Sequence, residues 1–219
     1  MTATVRGIGM TSQRTRARMI ERLREQGIGD ERILAAMAAV PRHIFVGEAL
    51  GHRAYEDTAL PLILGQTISQ PYVVARMIEL LYAGRESLGK TLEVGAGCGY
   101  QAAILGTLSR QVFAVERLGP LLDRARDNLR QAKLSHVRLK HADGTLGLPE
   151  AAPFDTIIVA AASPSVPQAL LEQVAPGGRL MLPLGLLDQV LCLFERTEQG
   201  FVEKRFDPVR FVPLLAGVE

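Results

Sequence analysis

The 219-residue sequence predicts an α/β domain, doubly wound on a mostly parallel sheet. Three observations predict it. From Lys90 onward, short apolar segments of strand character alternate with segments of helical period. A glycine loop, Gly95-Ala96-Gly97-Cys98-Gly99, sits where one strand ends and a helix begins. Hydrophobic residues make up 47% and charged residues 22%, the balance of a packed globular chain and not of a disordered, collagenous or coiled-coil one.

Residues 1–11 carry Gly7 and Gly9 with few apolar anchors and read as a flexible lead, in which Met10 is an alternative start. Ser12 can cap a helix whose apolar face holds Met19, Ile20 and Leu23. Gly27 and Gly29 end it, Asp30 caps a second helix with Ile33, Leu34 and Met37 inward, and Pro41 closes that one. Residues 42–70 read as a long loop, a length that in a compact domain marks either a functional segment or a misreading. Pro71 opens a helix over 71–82.

The alternation then runs strand 91–95, helix 100–108, strand 111–116, helix 118–133, strand 137–143, strand 154–162, helix 166–174, and strands 178–185 and 189–197, before a closing region over 201–215. Helix-linked strands lie parallel. The last strands are joined by tight turns without helices, so at least one of them runs antiparallel.

The net charge is +2, from 25 basic and 23 acidic residues, which argues against a protein that grips nucleic acid by charge. The basic side is 21 Arg and 4 Lys, an excess read as coding bias, and the run Arg14, Arg16, Arg18, Arg22, Arg24 reads as the solvated face of the first helix. Two cysteines, Cys98 and Cys192, make no disulfide framework and point to cytoplasmic free thiols. The four histidines (43, 52, 136, 141) show no metal spacing, so no metal is expected. No apolar run is long enough to span a bilayer.

The chemistry centres on Glu93-Val94-Gly95-Ala96-Gly97-Cys98-Gly99. Open α/β sheets bind ligands outside the carboxyl ends of their strands. The spacing is GxGxG, unlike the GxGxxG of dinucleotide folds, and no Gly-Lys-Ser/Thr follows, which excludes a P-loop. A carboxylate beside a diphosphate would repel it, whereas beside a cationic ligand it is favourable. The loop resembles the E/D-x-G-x-G-x-G motif of class I S-adenosylmethionine-dependent methyltransferases, whose cofactor carries an ammonium and a sulfonium. The resemblance implies contacts at Glu93, Gly95, Gly97 and Gly99. Glu116, ending the second strand 21 residues after Gly95, can accept from both ribose hydroxyls. Asp143 can accept from the adenine amino group and Gly144 can let the ring lie on backbone, although Asp-Gly is also a plain turn.

Amino-methylating relatives of that class often carry Asn/Asp-Pro-Pro-Tyr after the fourth strand. This chain has Ala160-Ala161-Ala162-Ser163-Pro164, which suits a nucleophile with no proton to remove, such as a carboxylate. The segment Gly65-Gln66-Thr67-Ile68-Ser69-Gln70-Pro71 resembles the G-x-T-I-S-x-P motif of protein-L-isoaspartate O-methyltransferases, as do LEVGAGCGY, HADG (141–144), PFDTIIVAAA (153–162), PGGRLMLPLG (176–185) and VRFVPL (209–214).

That resemblance implies a seven-stranded Rossmann-like methyltransferase sheet with an antiparallel C-terminal strand and an N-terminal helical extension. It implies one domain over 1–219: the lead, a helical cap and catalytic loop over 12–85, and a cofactor-binding core over 86–219. It implies S-adenosyl-L-methionine as cofactor and S-adenosyl-L-homocysteine as product. The reaction implied is methylation of the α-carboxylate of isoaspartyl residues, whose ester then collapses through a succinimide toward normal aspartate. Ser69 is the implied active-site residue, with Gln66, Thr67, Ile68 and Ser69 itself also touching the cofactor. Ser69 can equally be a cap for the helix that opens at Pro71. The chain departs from some family members at Val74, where they have His, and at Leu215 and Ala216, where they have a polar residue after VPL. The expected partners are isoaspartyl peptides and flexible or unfolded protein segments, with neither nucleic acid nor membrane, acted on by a cytoplasmic monomer. Two alternatives stay open: a methyltransferase of RNA or a small molecule, and a module that binds S-adenosylmethionine without turnover.

Overall fold

The computed structural model describes residues 9–219. The flexible lead expected over 1–11 therefore lies mostly outside the described residues, and Gly9–Thr11 is a single 3-10 turn.

Helix α1, Gln13–Glu25, starts where the Ser12 hydroxyl accepts from the Thr15 amide at 3.4 Å. It ends in a Schellman turn: the Gly27 amide donates to Arg24 O and the Ile28 amide to Leu23 O, both at 3.0 Å. Asp30 caps α2, Glu31–Ala39, through the Arg32 amide at 2.9 Å. Met19, Leu23, Ile33 and Met37 are fully buried, as the helical spacing requires. The stretch read as a long loop contains 3-10 turns and a two-residue hairpin, β1 (Leu60–Pro61) against β2 (Thr67–Ile68). Strands this short carry no periodicity to read. Helix α3, Pro71–Tyr82, follows with Pro at its first position.

The core then runs β3 (Lys90–Val94), α4 (Tyr100–Leu108), β4 (Gln111–Glu116), α5 (Gly119–Gln131), β5 (Arg138–His141), β6 (Phe154–Val159), α6 (Gln168–Glu172), β7 (Val174–Leu184), β8 (Gln189–Thr197) and β9 (Gly200–Val209). Strands β3 to β9 form one sheet in the order β5-β4-β3-β6-β7-β8-β9. Pairs from β5 to β7 are parallel, and β8 is antiparallel to both neighbours. This is the seven-stranded, mostly parallel sheet the sequence implied, with β8 as its reversed strand.

Around β6 and β7 the boundaries differ from those read in the sequence. Strand β6 stops at Val159, α6 is only five residues, and β7 starts at Val174, not at 178. Val174 pairs with Phe154 before the register shifts past Pro176-Gly177-Gly178 to put Arg179 beside Thr156. Pairing with a neighbour overrides helical period here.

The arginines also differ from expectation. Arg16 is buried in the run read as solvated, donating to Tyr55 Oη at 3.1 Å and Ala38 O at 3.0 Å, and Arg22 reaches Tyr55 O at 2.5 Å. Arg42 is wholly buried, donates to Ala54 O at 2.8 Å and stacks 4.7 Å from the Tyr100 ring. Arg179 holds Ala83 O and Arg196 holds Val174 O, both at 2.6 Å. Part of the arginine excess thus fastens loop carbonyls to the core, a role the rigid multi-donor guanidinium fills better than an ammonium.

Candidate functional site

The sheet reverses its direction of growth at β3: β4 and β5 lie on one side and β6 and β7 on the other. The loops leaving the carboxyl ends part at such a place and leave a crevice. Here it is a cleft of about 850 Å³, open mouth included.

Several segments build its wall. The 66–69 loop contributes Gln66, Thr67, Ile68 and Ser69, and the β3–α4 turn contributes Glu93 through Cys98 with Tyr100 and Gln101. The ends of β4 and β6 add Glu116, Arg117, Ala160 and Ala161, and Gly144 lies beside them. The chain after β9 adds Val212, Pro213, Leu214 and Leu215. Nine of the expected site residues thus converge on one cleft: Gln66, Thr67, Ile68, Ser69, Glu93, Gly95, Gly97, Glu116 and Gly144.

The glycine turn is pinned from two sides. The Gly95 and Ala96 amides donate to Val115 O at 2.9 and 3.0 Å, and the Gly97 amide donates to Glu116 Oε2 at 2.9 Å. Gly97 has φ +57, and a Cβ built on it would meet nothing within 4 Å, so its backbone stands open. Glu116 is buried, and its other oxygen accepts from the Leu118 amide at 3.0 Å. One carboxylate thereby joins the glycine turn to the start of α5. An ionised carboxylate offers about four acceptor positions, which leaves two on Glu116 for a diol.

Glu93 is fully buried. Gln101, in the first turns of α4, donates to its Oε1 at 3.0 Å, and its Oε2 has no partner. Burial pushes its pKa well above the usual carboxylate range. The Gln101 hydrogen bond opposes that shift, and the charge of Glu116 adds to it. Burial likewise raises the thiol of Cys98 to about 11 and the phenol of Tyr100 to about 12. A thiol held so far from ionisation is packing, not a nucleophile.

Two expected residues stand outside the cleft wall. Gly99 is the left-handed cap of α4 with φ +87, where a Cβ would lie 3.3 Å from Ala125 Cβ and 3.4 Å from Leu129 Cγ. Its lack of a side chain lets α5 approach. Asp143 accepts from the Thr145 amide at 2.8 Å, the Thr145 hydroxyl at 2.6 Å and the Gly217 amide at 2.6 Å. It ties the final residues of the chain to the end of β5. Gly144 does line the cleft, and the space its Cβ would take is filled by Val94.

Ser69 lies beside the start of α3, but the capping position is Gln70, and no side chain caps that helix. The Ser69 hydroxyl has no hydrogen-bond partner among the described residues. Val74 is buried in the wall.

Sequence reading missed Gln101 and Arg117, and it named the 209–216 stretch by resemblance without counting its residues among the site. Arg117 donates to Gly217 O at 3.2 Å and pairs with Glu219 at 2.6 Å, while the Leu214 amide donates to Ala162 O at 2.7 Å. Gln101 sits eight residues after Glu93, as the second residue of α4, and that spacing was its only signal. No metal-binding cluster of His, Cys, Asp or Glu occurs among the described residues.

A family model described as protein-L-isoaspartate(D-aspartate) O-methyltransferase matches residues 14–219. A protein-L-isoaspartate O-methyltransferase from Dechloromonas aromatica is 72% identical, covering 97% of this chain and 99% of the relative. One from Aromatoleum aromaticum is 67% identical, covering 96% of each. A solved chain from Plasmodium falciparum, described as a protein-L-isoaspartate O-methyltransferase in complex with S-adenosyl-L-homocysteine, shares the fold with a TM-score of 0.82 at 24% identity, over 91% of this chain and 98% of that one. On a match that runs from the first helix to the last residue, this chain belongs to the protein-L-isoaspartate(D-aspartate) O-methyltransferase family.

Proposed function

We propose that this chain is a repair enzyme that transfers a methyl group from S-adenosyl-L-methionine to the α-carboxylate of L-isoaspartyl residues in damaged proteins and peptides, a step that leads through a succinimide back to L-aspartyl. One observation carries the reading: the wall holds a buried acid at the glycine turn but only Ala160 and Ala161 at the end of β6. The acid suits a cationic cofactor. The alanines offer no base, which suits a nucleophile already ionised at neutral pH.

The residues fit the cofactor. The orphaned Glu93 oxygen is a buried acceptor in search of a cationic donor, and the free acceptor positions of Glu116 match a ribose. When bound, S-adenosyl-L-methionine supplies an electrophilic methyl group on a sulfonium and leaves as S-adenosyl-L-homocysteine. Glu93, Gly95 and Gly97 would hold its charged end, Glu116 its ribose and the Gly144 wall its base. Gln66, Thr67 and Ile68 would close the cleft from the opposite loop. Asp143 and Gly99 act at one remove: Asp143 anchors the 212–219 segment and Gly99 seats α4 on α5. Ser69 donates its unpartnered hydroxyl to the substrate carboxylate and aims it. Methyl transfer neutralises an anion and a cation, so a dry wall of Ile68, Val74, Tyr100 and Leu214 favours it.

We infer one domain, with residues 12–85 as helical cap and catalytic loop and residues 86–219 as the cofactor-binding core. Substrates are flexible or unfolded segments, since the lesion must reach a crevice at the strand ends. The near-balanced charge of +2 accords with protein partners and not nucleic acid. No helix among the described residues is long and apolar enough to cross a membrane. Buried free thiols at Cys98 and Cys192 accord with a cytoplasmic enzyme, which we take to be a monomer.

The test is labelled S-adenosylmethionine with an isoaspartyl peptide beside its normal aspartyl twin. Labelling of the isoaspartyl member alone is expected. Equal labelling of the two, or of neither, overturns the reading.

A further inference from the structure

Five of the ten large apolar side chains left exposed among the described residues lie in three segments. Ile63 and Leu64, 40% and 57% exposed, form the tip of the β1–β2 hairpin. Leu186 and Leu187, 74% and 92% exposed, form the turn between β7 and β8. Leu215, 49% exposed, is part of the cleft wall itself.

Each group continues directly into the cleft. The Leu62 amide donates to Gln66 O at 2.7 Å across the hairpin tip, and Gln66 to Ser69 follow as wall. Leu64 has φ +56, an unfavourable conformation for a leucine, and the side chain of Gln66 donates to its carbonyl at 3.3 Å. A wall residue thus helps to hold the leucine in place. The β7–β8 turn lies at the carboxyl edge, because β7 runs parallel to β6, which ends at wall residues Ala160 and Ala161. The Gly185 amide donates to Ser163 O at 3.0 Å. Gln189, at the base of the turn, accepts from the Phe211 amide at 2.6 Å, next to wall residue Val212.

We infer that Ile63, Leu64, Leu186, Leu187 and Leu215 form an apolar rim that selects isoaspartyl segments by apolar side chains flanking the lesion. The inference rests on the repair reading and names which substrates that site prefers. Exposed apolar side chains beside a cleft mark an interaction site, and each of these segments leads into the cleft wall. An extended chain entering the cleft alternates its side chains outward, so neighbours of the isoaspartate meet the rim.

The test uses two isoaspartyl hexapeptides of equal charge, one with Leu and Phe beside the lesion and one with Ser and Gln. The wild type should show a KM about tenfold lower for the apolar peptide, the size of one well-buried side chain. In the double variant Leu186→Ser with Leu187→Ser, and in Leu64→Asn, which tolerates the left-handed conformation, that ratio should fall below about threefold, with the change in KM and not kcat. Phe201→Ser, at the opposite edge of the sheet in the β8–β9 hairpin, should keep the ratio. Equal KM values in the wild type, or a ratio that survives in both variants, overturns the rim. If sedimentation instead shows a wild-type dimer that the double variant breaks, with the ratio intact, the leucines are a self-contact and the rim is overturned. No methylation of either peptide overturns the repair reading and the rim together, whereas equal methylation overturns the rim alone.

Discussion

Gln101 Nε2 donates to Glu93 Oε1 at 3.0 Å and leaves the second oxygen of this buried carboxyl without a partner. Burial holds the Glu93 pKa well above its ordinary value of 4.5. In the empty protein the folded state therefore keeps a proton that the unfolded state loses. Stability falls as pH rises from about 4.5 through the folded pKa, because the folded state binds more protons there. Glu93→Gln removes the charge but keeps an oxygen for Gln101. Its melting temperature should be higher than that of the wild type at neutral pH, and the fall on the alkaline side should flatten. Its affinity for S-adenosylmethionine, measured by calorimetry, should drop by about tenfold or more, the scale of one lost charge-assisted bond.

Glu116 joins two segments, so its removal should be felt twice. Glu116→Ala orphans the Gly97 and Leu118 amides, each within 3.0 Å of a carboxylate oxygen in the native chain. Leaving buried donors unpaired costs about 1–3 kcal/mol each. Denaturant unfolding should show a loss of about 2–4 kcal/mol on that basis, since the loop can partly relax toward water. Cofactor affinity should fall at least about tenfold. Glu116→Gln keeps one acceptor and should recover about half the stability, but not the affinity, if the second acceptor position serves the ribose.

Asp143 holds the end of the chain. Desolvation opposes its ionisation, but the Gly217 amide and the Thr145 amide and hydroxyl outweigh it, so its pKa lies below the ordinary value of 3.8. A depressed acid pKa stabilises above the unfolded value and loses that contribution as pH falls through the folded one. The 214–219 segment should therefore stay docked at every pH above about 4 and release only in stronger acid. Asp143→Ala should speed hydrogen exchange at Gly217 about fivefold or more, as the loss of a partly exposed charge-assisted bond implies. Cofactor affinity should weaken several-fold, because wall residues Leu214 and Leu215 lose one of the ties that hold their segment. Unchanged exchange at Gly217 would show that Arg117, Glu219 and the Leu214 bond to Ala162 hold the segment without Asp143.

How legible these features were follows from the range of the forces that make them. The glycine turn, Glu116 at the end of β4 and the bounds of α4, β4 and β8 rest on local period and turn chemistry, and the sequence carried all of them. The hairpin of β1 and β2 was hidden because two residues have no period. Arg16 and Arg42 look like any basic residue in a window, and only Tyr55, Ala38 and Ala54 decide that they turn inward. Asp143 was read by its position after β5, yet its partner Gly217 lies 74 residues away. The Arg117 pair with Glu219 spans 102 residues. Nothing local signals such contacts. Gly99 was read with its loop, although the left-handed cap of a packed helix needs a glycine whether or not a ligand is near.

Ser69 separates the local from the functional account of one residue. If the serine were a cap, Ser69→Ala would cost about 1 kcal/mol of stability. Gln70 holds the capping position and no side chain caps α3, so the variant should unfold within about 0.5 kcal/mol of the wild type. Ser69 lines the cleft, and a donor that aims a carboxylate matters most once the reacting groups are in line. The variant should therefore lose about tenfold to hundredfold in kcat on an isoaspartyl peptide, with cofactor affinity changed less than about threefold. Ser69→Thr, which keeps a hydroxyl, should recover part of kcat. A collapse of cofactor affinity in Ser69→Ala with kcat intact would make Ser69 a part of the cofactor wall and move the task of aiming the carboxylate to another donor in the 66–69 loop.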